Sequence, residues 1–195
     1  MFNFTKNKKD KSSVIFDLYI NDIDFVIGRI SKPEDSKITQ EIKAIVKSDE
    51  KFSNFKVNLQ DKNFGYSADW PMILAEWLAD DKLINAISNL GGLIAFSFYF
   101  NSFVKNLKNK YSDNKIFVGL KSARLISFHK VFESEKDQAI KFSYDSVFER
   151  EISRQGSFEE KDFIFIIRRT FEDRDLKLFF VHLDWCGTVK NFYEI

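Results

Sequence analysis

Cysteine, proline, glycine and histidine are all scarce in this chain of 195 residues, which holds one Cys, 2 Pro, 7 Gly and 2 His. A lone Cys186 can close no intrachain disulfide and cannot supply the paired thiolates of a structural zinc site, so neither staple is expected. With so few glycines there is no G-x-x-x-x-G-K-[ST], G-x-G-x-x-G or G-x-S-x-G segment, and H-E-x-x-H is also missing. Nucleotide hydrolysis and dehydrogenase chemistry are therefore not expected, no cofactor is implied, and the two histidines have no metal-ligand spacing. Net charge is nearly absent too: 30 Lys plus Arg face 29 Asp plus Glu. A nucleic-acid domain usually carries a basic surplus, so any phosphate-binding site would have to be local.

Apolar residues make up 44% of the chain, and 23 Phe swell the aromatic share. A disordered chain lacks the apolar surface to offset its ordering entropy, whereas this one has enough for a real core. Residues 1–12 are expected to form a flexible Lys-rich tail and 13–195 a single α+β domain. The basic start runs straight into VIFDLYIN rather than into the aliphatic core of a signal peptide. A reducing, cytoplasmic setting fits that and the single cysteine. Abundant Lys, Asn, Ile and Phe point by association to an AT-rich bacterial or phage genome, where small accessory, immunity or defence proteins would fit.

Hydrophobic spacing predicts the elements. VIFDLYINDIDFVIGRI, 14–30, suggests a β-hairpin around Asn21-Asp22, ITQEIKAIVK a third strand, and SNFKVNLQ, 53–60, a half-buried strand. Asp69 is placed to cap a helix through Ile73, Leu74, Trp77, Leu78, Ile84 and Ile87, with Gly91-Gly92 separating it from a second apolar helix. IFVGL, 116–120, suggests a buried strand and KSARLISFHKVFE a helix. A short helix is expected around Tyr144 to Ser153. FIFIIRRTF, LKLFFVHLDW and TVKNFYEI, divided by EDRD and CG, form a three-stranded meander. The fold class is thus α+β, a mostly antiparallel sheet of N-terminal strands plus this C-terminal meander, around a central helical pair with helices on one face.

Four groups of residues could carry function. Leu83–Val104 has no formal charge, with Asp80-Asp81 before it and lysines after, a pattern compatible with a membrane anchor. Its asparagines and serines favour a helix buried in protein. Lys105, Lys108, Lys110, Lys115, Lys121, Arg124 and Lys130 stand against Asp113 alone. Of these, Lys105, Lys108, Lys110, Lys121 and Arg124 are the candidate binding residues, for an acidic protein surface first and for nucleic acid second. His182, Asp184 and Cys186 share one face if they lie on a strand, though residues two apart do not thereby converge. Partly buried His129 alternates with apolar neighbours. Glu41-x-Lys43 with Asp24 and Asp35 resembles the carboxylate and lysine set of a metal-dependent nuclease, a pattern that chance supplies often at this charge content. No set amounts to a catalytic constellation. A non-enzymatic protein-interaction module, binding an acidic partner or a second copy, is the leading expectation, followed by a metal-dependent enzyme acting on nucleic acid through 105–130, and then by a membrane-anchored protein.

Overall fold

A computed structural model describes residues 13–62, 71–88, 90–111, 115–135, 143–153, 161–171 and 175–195. The expected N-terminal tail and Asp69 lie outside them. The chain folds as β1 (Ser13–Ile20), α1 (Ile23–Val26), α2 (Lys37–Ser48), β2 (Lys56–Lys62), β3 (Met72–Ala79), α3 (Asp81–Ser88), α4 (Leu90–Lys110), β4 (Ile116–Val118), α5 (Leu120–Glu135), β5 (Ser143–Ser153), β6 (Lys161–Phe171), β7 (Asp175–Leu183) and β8 (Val189–Glu194). The class is α+β with antiparallel strands. They form two four-stranded sheets rather than one, in the orders β2-β3-β1-β4 and β5-β6-β7-β8.

Four local expectations are corrected. The chain after β1 turns into α1 instead of a second hairpin strand, because Asp22 caps it, Oδ1 accepting from the Asp24 N–H at 3.0 Å. α2 replaces the expected third strand. Ser36 caps it, Oγ accepting from the Thr39 N–H at 3.1 Å while donating to Asp22 Oδ2 at 2.6 Å. The helix expected from Asp69 onward is instead strand β3, with α3 starting only at Asp81. The helix expected at Tyr144–Ser153 is β5, which extends the meander to four strands.

The first sheet buries Phe16, Leu18, Ile20, Ile73, Ala75 and Trp77 in the core shared with α4. Phe16 lies at its centre, its ring 4.5 Å from Trp77 and 4.9 Å from Phe100. Leu83–Val104 is thus core-facing along much of α4, where Phe96, Phe100, Phe103 and Val104 are buried. Among the described residues no single helix is long and apolar enough to cross a membrane. α3 and α4 together pass by length and composition, with a bend of 91° between them.

α5 joins the two halves. It begins where β4 ends, against β1, and buries Ile126, Phe128, Val131 and Phe132 in one cluster with Phe163, Phe165, Ile167, Phe179, Val181 and Leu183 of the second sheet. The β7–β8 turn also hooks back to β4. Trp185 O accepts from the Val118 N–H at 3.0 Å, and the Trp185 ring lies 4.3 Å from that of Phe117. Gly187 at the apex has φ +76, and a Cβ there would fall 2.7 Å from Ile126 Cδ1, so both backbone and space require glycine.

Candidate functional surfaces

The basic segment does not assemble as one patch. Lys110 projects from the end of α4 to Glu41 of α2, Nζ to Oε2 2.8 Å, and the same carboxylate accepts from the Tyr111 hydroxyl. The Lys110 and Tyr111 hydrogen bonds hold the Glu41 carboxyl below its usual pKa. Arg124 clamps Glu149 of β5 through Nε and Nη2. Burial alone would raise the Glu149 pKa; the guanidinium overcomes it and holds the carboxyl below the ordinary value. Lys121 and Arg124 line one cavity with Ile84 and Ile87, whereas Lys105 and Lys108 line another with Ile126, His129 and Lys130. At 100° per residue those two sets of α5 positions point to opposite sides of the helix. A continuous phosphate-tracking stripe is therefore not formed.

His182, Asp184 and Cys186 separate as well, because β7 ends at Leu183 and the last two belong to the turn. His182 lies on the outer face, Nε2 2.9 Å from Asp162 Oδ2 and Nδ1 3.1 Å from Asn191 Nδ2. Asp184 instead ties the turn, Oδ1 accepting from the Cys186 and Thr188 N–H groups at 3.1 and 2.8 Å while Oδ2 meets Lys190 at 2.9 Å. Cys186 is buried against Met72 and Phe117. These are the interactions of an Asx-type turn. Around Glu41 the nuclease-like set also fails to gather, with Asp24 bound to Arg29 at 3.2 Å. Among the described residues no three His, Cys, Asp or Glu side chains are grouped to hold a metal ion.

One carboxylate does sit in an unusual place. Asp17 of β1 lies opposite Glu76 of β3 and caps α5 from across the fold, Oδ1 accepting from the Ser122 N–H at 3.0 Å. Burial raises its pKa, against the lowering effect of the Ser122 hydrogen bonds. Neighbouring Tyr19 is pushed up to about 12 by burial and then by Asp17, Glu151 and Glu76. Its hydrogen bonds with Ser122 make Asp17 a joint between β1 and α5.

The outer face of the second sheet offers more. An antiparallel sheet with one face on the core normally alternates apolar with polar residues. β6 and β7 do not. Phe163, Phe165, Ile167, Phe179, Val181 and Leu183 fill the core, yet the intervening Ile164, Ile166, Leu178 and Phe180 are apolar and only half-buried. Registers place Phe148 opposite Ile166, Ile166 opposite Phe180, and Phe180 opposite Tyr193, giving an apolar row across all four strands. Phe180 and Tyr193 stack at 4.8 Å. The ends of the row are open, Phe148 being 42% and Tyr193 52% exposed. Arg150 and Arg168 flank it, Arg168 already bonded to Asp145 and Arg150 exposed with no ion pair among the described residues. The absence of alternation in FIFII and KLFFV was the signal in the sequence that a second face needs cover. No protein-family model, curated protein or solved structure matches this chain.

Proposed function

We propose that this protein is a non-enzymatic interaction module that presents the outer face of its C-terminal sheet to a protein partner, in the cytoplasm, as an accessory, immunity or defence protein of a bacterium or phage. The observation that supports this reading is the row Phe148, Ile166, Phe180 and Tyr193, apolar side chains on a face that an isolated domain would make polar. Aromatic residues in a row flanked by two arginines have the composition of an interface centre and rim. Arg150 and Arg168 suit a partner with an acidic border around an apolar patch. The separation of the histidines, carboxylates and cysteine favours binding over catalysis.

The test pairs the wild type with Phe180→Glu/Tyr193→Ser. Both side chains leave the core untouched, so the variant should keep its far-ultraviolet dichroism and melting temperature. Affinity purification from the native host with quantitative mass spectrometry, together with sedimentation equilibrium of the pure chain, should show a stoichiometric partner or a second copy that the variant loses. A wild-type chain that stays monomeric and partnerless, or a partner equally retained by the folded variant, overturns the proposal.

A further inference from the structure

Where α4 and α5 pack beside the β7–β8 turn, a cavity of about 300 Å3 opens between Lys105 and Lys108 of α4, His129, Lys130 and Glu133 of α5, and Thr188 of the turn. It is remote in composition from the apolar row on the second sheet and does not depend on it. Three lysines against one glutamate leave it with two positive charges. Lys130 is already bonded to Glu133 at 3.1 Å. Neither Lys105 nor Lys108, one helical turn apart, has a hydrogen bond or ion pair among the described residues. Two like charges on neighbouring turns of one helix repel, and the cavity's one carboxylate, Glu133, which Lys105 helps to hold below its ordinary pKa after the Lys130 hydrogen bond, offsets only part of that charge.

His129 completes the arrangement. Its ring stands edge-on to Phe98 with centroids 4.5 Å apart, and its Nδ1 is buried with no hydrogen-bond partner. A shut-in bare lone pair is tolerated better than a shut-in N–H, so the proton of the neutral ring belongs on Nε2, the nitrogen left to serve the cavity. Burial lowers the His129 pKa, Lys105 and Lys130 act in the same direction, and Glu133 opposes them. The ring is thus held neutral, as a donor beside two unpaired ammonium groups. Val104, Ile126 and Val189 supply apolar wall.

We infer that this cavity is a binding site for a small-molecule phosphate monoester, its phosphoryl group held by Lys105, Lys108 and His129 Nε2–H and its organic part set against the apolar wall. The charge decides the class. A phosphate monoester carries about −1.5 to −2 at neutral pH, which matches the two surplus positive charges, whereas a phosphodiester brings a single negative charge and leaves one ammonium uncompensated. The walls set this ligand apart from inorganic phosphate, which would leave them wet.

Proton NMR titration of the full chain tests this, with phenyl phosphate, inorganic phosphate and diphenyl phosphate as probes and the two imidazoles as reporters. Phenyl phosphate should bind saturably and raise the His129 pKa, since a dianion favours the imidazolium. His182 is held by Asp162 and Asn191 on the outer face of the second sheet, and its ring signals should show no saturable response to the ligand. Inorganic phosphate and the diester should bind more weakly. Lys105→Ala/Lys108→Ala should weaken phenyl phosphate by roughly 100-fold, about tenfold for each charge-assisted contact, while Lys110→Ala, outside the cavity, should leave it within about twofold. Both lysines reach solvent, so the double variant should fold normally. No saturable shift with any probe, a diester bound as tightly as the monoester, or phenyl phosphate binding that survives the double variant overturns the assignment.

Discussion

Gly119→Ala is the sharpest test of how β1 and α5 are joined. Gly119 has a backbone conformation open to any residue, so alanine would meet no torsional penalty there. Space is the obstacle. An added Cβ would lie 2.3 Å from Asp17 Cγ and Oδ2 and 2.5 Å from Oδ1, far inside van der Waals contact. The carboxylate cannot yield freely, because Oδ1 accepts from the Ser122 N–H while the Asp17 N–H donates to Ser122 Oγ at 2.9 Å and Asp17 O accepts from the Gly119 N–H at 3.1 Å. Alanine must either displace the carboxylate, losing a helix cap that contributes about 0.5–2 kcal/mol, or force the strand and helix apart at an overpacking cost of about 1–3 kcal/mol. The expected loss is therefore about 1–3 kcal/mol in urea unfolding followed by tryptophan fluorescence. Asp17→Ala/Gly119→Ala should be destabilised by less than the sum of its parts, since removing the carboxylate vacates the space the methyl needs. Gly28 is the contrast: its φ is +72 with nothing within 4 Å of a Cβ, so Gly28→Ala should cost only the left-handed penalty of roughly 1–2 kcal/mol. A Gly119→Ala protein as stable as wild type, or two mutations that simply add, would refute the packing argument.

Because burial raises the Asp17 pKa in the folded state, the native chain binds more protons than the unfolded one between the ordinary Asp value and the raised one, and stability contributed by this group falls as pH rises through that window. Asp17→Asn, which keeps a cap acceptor, should gain relative to wild type at neutral pH, and the gain should vanish below the ordinary Asp pKa, as read from unfolding midpoints at several pH values. Glu135→Ala removes the carboxylate bonded to buried Arg169 and should cost about 3–5 kcal/mol in thermal unfolding, with Glu135→Gln in between. A neutral outcome would mean that the guanidinium is satisfied without it.

β6 to β8 were legible because their apolar runs are long, β-branched or aromatic, and cut by turn residues; β4 was legible for the same reason, and α5 from the helical spacing of Ala123, Ile126 and Val131. β3 was not. MILAEWLA is apolar at spacings of three and four, which suggests a helix, but it is a central strand flanked by β1 and β2 and buried on both faces, where periodicity carries no information. In α2, Ile42, Ala44 and Val46 suggest alternation, while Ile38, Ile42 and Ile45 also fit a helix, and the Ser36 cap together with the Asp22 bond favours the latter. β5 is charged and aromatic by turns, and its pairing with β6 overrides local preference. Of the candidate site, Lys105 and Lys108 were visible as members of the basic segment 105–130. Their meeting with His129 and Lys130 was not, since it depends on how α4 and α5 pack.

α5 is covered on one side by α4 and β1 and on the other by the second sheet, so neither half can bury its own share of that helix alone. On a ribosome this has a consequence for timing. When residue 135 emerges, every strand of the first sheet has been made, but Phe132 must wait for Tyr144 of β5 and the helix's second-sheet side for β6 and β7, which come from the last third of the chain. The nascent protein therefore displays the uncovered side of α5 throughout that interval, and a chaperone that shields it, or a pause in translation that prolongs it, is expected to change the yield of folded protein.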